Sequence, residues 1–264
     1  MISVDDAKNI ILKSTNKLKS ENVDLIDSLN RISYEDISTT INLPRWDNSS
    51  MDGYALIISD DLNENPPGKL EVVGEVYPGD DLIPRIKENT AIKIMTGAPI
   101  PNGANCVIPI EDITLIKSNN KTSNHISINR QINIGDNIRK KGSDFSIGEK
   151  IISKGEKVRP FDVAKLAANG INKIKVYKKP VISIISTGNE LIPPGDKLKP
   201  YNIYDSNALS IASLVKSAGG IPKIIGIAKD EIRSIEATLR ESIDSDVIVC
   251  TAGVSVGDKD YIKK

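Results

Sequence analysis

Between residues 181 and 260, short apolar runs alternate with amphipathic ones, and the two patterns have different periods. The runs at 181–185, 223–228 and 246–250 are rich in β-branched residues and lack polar alternation. That pattern predicts parallel strands buried on both faces. Between the first two, Ala208, Leu209, Ile211, Ala212, Leu214, Val215 and Ala218 recur at helical spacing, behind Asp205 as N-cap and ahead of Gly219 and Gly220. Between the second and third, a helix starting at Asp230 carries Ile232, Ile235, Leu239 and Ile243 on one stripe. The order β-α-β-α-β predicts a three-layer α/β domain with a mostly parallel sheet and ligands at the carboxyl ends of its strands.

Upstream the pattern changes. Ser3 with Asp6 three residues on predicts a capped helix, and Val4, Ala7, Ile11, Leu12 and Leu18 approximate its apolar face. A further turn or short helix is expected within 24–32. From residue 55 to about 148 the chain reads as strand and turn, with runs at 56–58, 70–77, 90–95 and 106–110. Pro160 suits the first position of a helix that runs to Ala168 and stops at Gly170. The reading is multidomain α/β and β: a discontinuous helical/β base domain (1–45 plus 146–177), an inserted β domain (46–145) and the α/β domain (178–264).

The chemistry-bearing residues gather where the apolar runs end. The first run leads into Ser186-Thr187-Gly188-Asn189-Glu190-Leu191 and later Tyr204-Asp205-Ser206-Asn207, the second reaches Asp230, and the third leads into Thr251-Ala252-Gly253-Val254-Ser255-Val256-Gly257 and Asp260. Glycines and hydroxyls let backbone N–H groups approach an anion, and carboxylates suit a hard divalent cation, so the set reads as a phosphate and Mg²⁺ pocket. The plainer alternative is that Asp205 and Asp230 only cap helices and the glycines only turn the chain. A second unusual stretch, 43–55, holds the only tryptophan, Trp46, with Asp47, Asn48, Ser49, Ser50 and Asp52 in no regular period. Arg139, Lys140 and Lys141 form a basic cluster expected to attract a polyanionic ligand.

Composition narrows the classes. Lys plus Arg and Asp plus Glu both number 35, so net charge is formally zero, and neither a nucleic acid nor a membrane partner is implied. Cys106 and Cys250 lie far apart in apolar runs, as core residues of a cytoplasmic protein would. One histidine, His125, supports neither a histidine metal cluster nor a Ser-His-Asp triad. No uncharged apolar run approaches the length of a membrane span.

Six stretches occur in an order that resembles the MoeA/gephyrin E-domain family, the molybdopterin molybdenumtransferases: residues 46–55, 94–99, 137–142, 186–191, 204–207 and 253–257. The resemblance implies a transferase of molybdenum cofactor biosynthesis, which inserts molybdenum from molybdate into adenylylated molybdopterin with Mg²⁺ assisting and AMP released. It implies Asp52, Thr96 and Glu190 as catalytic residues and Glu190, Asp230 and Asp260 as metal ligands. Cofactor-binding positions would be Asp144, Thr187, Gly188, Asp205, Ser206, Gly253, Ser255 and Gly257. It further implies a homodimer with a shared cleft and a molybdopterin adenylyltransferase as the upstream enzyme. The chain departs from the family at Ala252, where glycine is usual, at Asn189, where aspartate is common, and at Ser143, where glutamate is common. Family members continue for roughly another domain, so a C-terminally truncated chain is expected. The competing reading is a molybdopterin- or nucleotide-binding scaffold protein without catalysis.

Overall fold

The computed structural model describes residues 2–58, 68–117 and 124–251. In chain order the elements are α1 (Val4–Ser14), β1 (Ser20–Asp24), a 3₁₀ turn (Leu25–Ser28), β2 (Ile37–Ser38), β3 (Asn48–Ser49), β4 (Gly53–Leu56), β5 (Leu70–Val76), β6 (Thr90–Ile94) and β7 (Cys106–Pro109). There follow a second 3₁₀ turn (Ile110–Asp112), β8 (Ile113–Lys117), β9 (Asn124–Ile128), β10 (Ile138–Arg139), β11 (Lys150–Ile152), α2 (Pro160–Ala168) and β12 (Lys173–Tyr177). The last are β13 (Val181–Thr187), β14 (Leu191–Ile192), β15 (Ile203–Tyr204), α3 (Ser206–Ser217), β16 (Ile221–Ala228), α4 (Ile232–Arg240) and β17 (Val247–Cys250). The chain divides into two compact units, Met1–Asp36 with Ile152–Lys264, and Ile37–Ile151. It is a multidomain mixed α/β fold.

The unit Ile37–Ile151 is built on a six-stranded mixed sheet in the order β7-β4-β6-β5-β9-β8, in which only the β5–β6 pair is parallel. Alternation works on both of its faces. Tyr54, Leu56, Cys106 and Ile108 join one core cluster, while Ala55 and Val107, one residue out of phase, join another. β4 and β7 are therefore buried along their whole lengths. Within this core, burial and then the charge of Asp136 push the Cys106 thiol up to about 12, so it is a packing residue and not a nucleophile.

In the other unit β1 pairs antiparallel with β12, from Ser20↔Tyr177 to Asp24↔Lys173. α2 runs from Pro160 at its first position and gives way to Gly170 at φ +77°, the conformation glycine favours. The Asp162 carboxylate is 1% exposed and accepts from the Arg159 backbone N–H (2.9 Å) and guanidinium (3.0 and 3.1 Å). The Arg159 side chain, ahead of burial and the backbone bond, sets the balance that holds this carboxyl below its usual range. Asp162→Ala is expected to cost about 1–2 kcal/mol in denaturant unfolding. Because the folded pKa is depressed, the charge-dependent part is present above the ordinary carboxylate range and is lost as pH falls through the folded value. The difference between variant and parent should shrink in acid.

β13 is flanked by β16 and β17, parallel to both. It is the only one of the three that is buried through most of its length, since β16 has three of its eight positions exposed and only Ala228 buried, and β17 has two of its four exposed. Ile184 packs with Ala208 and Ala212 of α3, whereas Ile185 packs with Ile235 of α4, Ala228 and Cys250. Asp205 caps α3 as expected, its Oδ1 accepting from Ala208 N at 3.1 Å. The broad apolar face of that helix is only partly covered, with Leu209 and Leu214 exposed. α4 begins at Ile232 and not at Asp230, because the Asp230 side chain is held elsewhere. Among the described residues no helix is long and apolar enough to cross a membrane.

Candidate functional site

The carboxyl end of β13 carries two hydroxyls with no hydrogen-bond partner among the described residues. Ser186 is 0% and Thr187 2% exposed, and each side-chain oxygen is buried and unpaired. Leaving such groups unmatched costs about 1–3 kcal/mol each. Such groups in native folds are matched by ordered water, an ion or a ligand, or serve a catalytic role. Arg31 Nε, Asn48 Oδ1 and His125 Nδ1 are unpaired elsewhere in the chain, but only here among the described residues do two hydroxyls stand side by side at a strand end.

Beyond them the backbone changes character. Gly188 sits at φ +148° and donates its N–H to Ala228 O at 3.2 Å, joining the ends of β13 and β16. A Cβ there would lie 2.8 Å from both Glu190 carboxylate oxygens. Glycine thus lets the Glu190 carboxylate lie against the chain. Asn189 and Asp230 then clasp each other, Asn189 N donating to Asp230 Oδ2 and Asp230 N donating to Asn189 Oδ1, both at 3.3 Å. This clasp takes the side chain that the sequence assigns to capping α4. It brings two adjacent strand ends together with Glu190 beside them.

The loop after Glu190 is tied down as well. Ile203 N donates to Glu190 O (2.9 Å) and Asp205 N to Ile192 O (2.9 Å), with β14 parallel to β15. An open cleft of about 550 Å³ lies here, lined by Gly188, Asn189, Asp205, Leu209, Ile224 and Lys229 among others. Asp205 belongs to it while capping α3, and Ser206 is the first residue of that helix, exposed at its positive N-terminal end. A larger cavity of about 960 Å³ in the same unit, between α1 and β17, is mostly apolar and touches none of the candidate residues. Ser186, Thr187, Glu190 and Asp230 do not line the smaller cleft, but their chain neighbours Gly188, Asn189 and Lys229 do, so it opens beside the strand ends that carry the unpaired hydroxyls and the carboxylates.

Lys229 and Ile224 are not candidates by sequence, and Leu209 is one only for the apolar face of α3. Lys229 and Ile224 flank a β-bulge: Ile184 pairs with Ile224 but Ile185 with Gly226, so Ile225 is the extra residue, and Gly226 at φ +134° completes the distortion. The one local sign of it in the run at 223–228 is Gly226, since an isolated glycine within a strand pattern marks a bulge.

The other candidates lie in the unit Ile37–Ile151. Asp52 Oδ1 accepts from both Thr96 N (2.7 Å) and Thr96 Oγ1 (2.8 Å) at an exposed corner. The Thr96 backbone N–H first, and its hydroxyl second, hold the Asp52 carboxyl below its usual range. Asp144 pairs with Arg139 at 2.7 Å, and Lys140 with Asp47 at 2.9 Å. Two of the three residues of the basic cluster are therefore matched by carboxylates. Gly253, Ser255, Gly257 and Asp260 lie outside the described residues.

Among the described residues no three His, Cys, Asp or Glu side chains group as a metal site. Mg²⁺ does not require that many, since it is commonly held by one or two carboxylates with substrate phosphate and water. Glu190 and Asp230 supply the oxygen type this ion takes, on the loops after two adjacent strands.

Residues 2–170 match the MoeA N-terminal region (domain I and II), and residues 183–264 match a probable molybdopterin binding domain. The chain belongs to the MoeA family. Among its relatives, the molybdopterin molybdenumtransferase of Nostoc sp. is 34% identical over 269 residues, covering 99% of this chain and 60% of that protein. The enzyme of the same name from Bacillus subtilis is 35% identical, covering 99% of this chain and 61% of its own length. A crystal structure of the molybdopterin biosynthesis MoeA protein from Pyrococcus horikoshii OT3 superposes with a TM-score of 0.84 at 32% identity, over 96% of this chain and 66% of that one. The chain thus spans about 60% of the length of these curated MoeA relatives.

Proposed function

We propose that this MoeA-family protein is a molybdopterin molybdenumtransferase that inserts molybdenum from molybdate into adenylylated molybdopterin and releases AMP. The observation that carries this reading is the pair of buried, unpaired hydroxyls of Ser186 and Thr187 beside the Glu190 and Asp230 loops at one parallel sheet edge. The relatives named above carry the name molybdopterin molybdenumtransferase. The clustering of β13 with α3 through Ile184 and with α4 through Ile185 supports a three-layer α/β arrangement for this part of the chain.

Each group then has a task. The Ser186 and Thr187 hydroxyls donate to anionic oxygens of the ligand, the α3 N-terminus adds its positive end, and Lys229 contributes a cation at the cleft wall. Glu190 and Asp230 would hold Mg²⁺. Bound there, Mg²⁺ supplies neutralisation of the charge that develops on the departing phosphate. The Asn189–Asp230 clasp fixes the loop on which these carboxylates ride.

The proposed assembly is a cytoplasmic homodimer in which Asp52 and Thr96 of one subunit and the Glu190 loop of the other serve one ligand. A molybdopterin adenylyltransferase supplies the adenylylated substrate. The test is molybdate-dependent AMP release from adenylylated molybdopterin with Mg²⁺, assayed on the chain and on the chain extended to the length of the relatives it matches. Binding without AMP release from either form would overturn the enzymatic reading in favour of a scaffold. Asp52→Ala and Glu190→Ala, each inactive alone, should complement when mixed, restoring about a quarter of parental activity through one intact site per mixed dimer. No recovery despite demonstrated mixed dimers would put both residues in one subunit's site.

A further inference from the structure

Trp46 is the single tryptophan of the chain, is 46% exposed, and has the Arg45 guanidinium carbon 5.6 Å from its ring centroid. Its backbone is not free to withdraw the ring. On one side Leu43 N donates to Phe145 O (2.9 Å) and Pro44 O accepts from Gly142 N (3.0 Å). On the other, Ile100 N donates to Asp47 O (3.0 Å), and Asp47 Oδ1 accepts from Lys141 N at 2.8 Å. β3 then pairs with β10, opposing Asn48 to Arg139. A large aromatic ring is thus held in water by a segment pinned on both flanks, with a guanidinium beside it.

The charges around it are also uneven. Arg139 and Lys140 form ion pairs with Asp144 and Asp47, whereas Arg45 forms none among the described residues and Lys141 acts on Asp47 only through its backbone N–H and the field of its charge. Rigid exposed indole with spare cations is a preorganised platform for a flat ring that carries negative charge. We propose that Arg45, Trp46 and Lys141 bind the phosphorylated heteroaromatic part of a ligand, a purine or pterin ring stacking on Trp46 with its phosphate near the two cations. The ligand class rests on the function proposed above, while the platform rests on Ile100 and residues 43–49 and 139–145 alone.

Since Trp46 is the only indole, its emission reports this place directly. AMP should quench it saturably, with adenosine and ribose 5-phosphate each at least about tenfold weaker, because one lacks the charge and the other the ring. Equilibrium dialysis of AMP against 6-carboxypterin distinguishes a purine from a pterin occupant. Trp46→Leu should weaken the preferred ligand about tenfold and Trp46→Phe much less, since phenylalanine keeps a stacking face. Lys141→Ala should weaken it more at low than at high salt. Circular dichroism of the variants verifies that each is folded. An emission unchanged by AMP and undisplaced by 6-carboxypterin would overturn the proposal, as would a folded Trp46→Leu that binds like the parent. So would an emission shift that follows protein concentration alone, which would mark the ring as a contact between copies. The binding arms contain neither molybdate nor Mg²⁺. Intact AMP release with no Trp46 response therefore refutes only the platform, and the converse refutes only the enzymatic reading.

Discussion

Glu190→Ala should lower molybdate-dependent AMP release by about two orders of magnitude or more while leaving unfolding within about 0.5 kcal/mol of the parent. The two halves of that expectation have different origins. Glu190 is exposed and its carboxylate rests over Gly188, so no packed core depends on it. A carboxylate that holds the cation is needed most when charge develops on the departing phosphate, so its loss falls on the chemical step. Gly188→Ala is the informative companion. It keeps the carboxylate, but the new Cβ would meet both carboxylate oxygens at 2.8 Å and the backbone φ of +148° disfavours any side chain. It should lose activity through displacement of Glu190. Glu190→Ala with parental AMP release and parental Mg²⁺ dependence would remove Glu190 from the site.

Gly53→Ala should be the most damaging single methyl in the unit Ile37–Ile151, destabilising it by about 3 kcal/mol. An ideal Cβ at Gly53 would lie 1.9 Å from Ile108 O and 2.8 Å from Ile108 C. Neither side can give way cheaply. β4 lies between β6 and β7, with Gly53 opposite both Ile94 and Pro109, so moving its backbone breaks two ladders. Gly74 in β5 is the control, because nothing lies within 4 Å of a Cβ built there. Gly74→Ala should be neutral or slightly stabilising. Denaturant midpoints and slopes of the two variants test the contrast, and a Gly53→Ala protein as stable as its parent would contradict the packing described here.

Helix ends were legible wherever their cause is local. Pro160 and Gly170 bound α2, Asp205 caps α3, and Ser3 caps α1 with Asp6 N donating to Ser3 Oγ at 3.1 Å. Each is an interaction over a few residues, so the sequence window contains the whole of it. Asp230 has the same capping chemistry but a different fate, because its partner Asn189 is 41 residues away. Apolar periodicity had a similar limit. α1 shows a helical stripe yet buries none of its residues, since a stripe records which side is apolar and not what covers it.

The strand runs, the turn residues and the chemical types at each loop were determined by sequence, because propensity, capping and alternation act between near neighbours. That Ser186, Thr187, Glu190, Asn189 and Asp230 share one sheet edge was predicted from strand order, which fixes where strands end. Which hydroxyls lack partners, which carboxylate clasps which amide, and that Ile225 and Lys229 line one cleft were decided only by tertiary structure. These features depend on distances between residues remote in sequence, and on angles of a few backbone bonds, that no local pattern encodes.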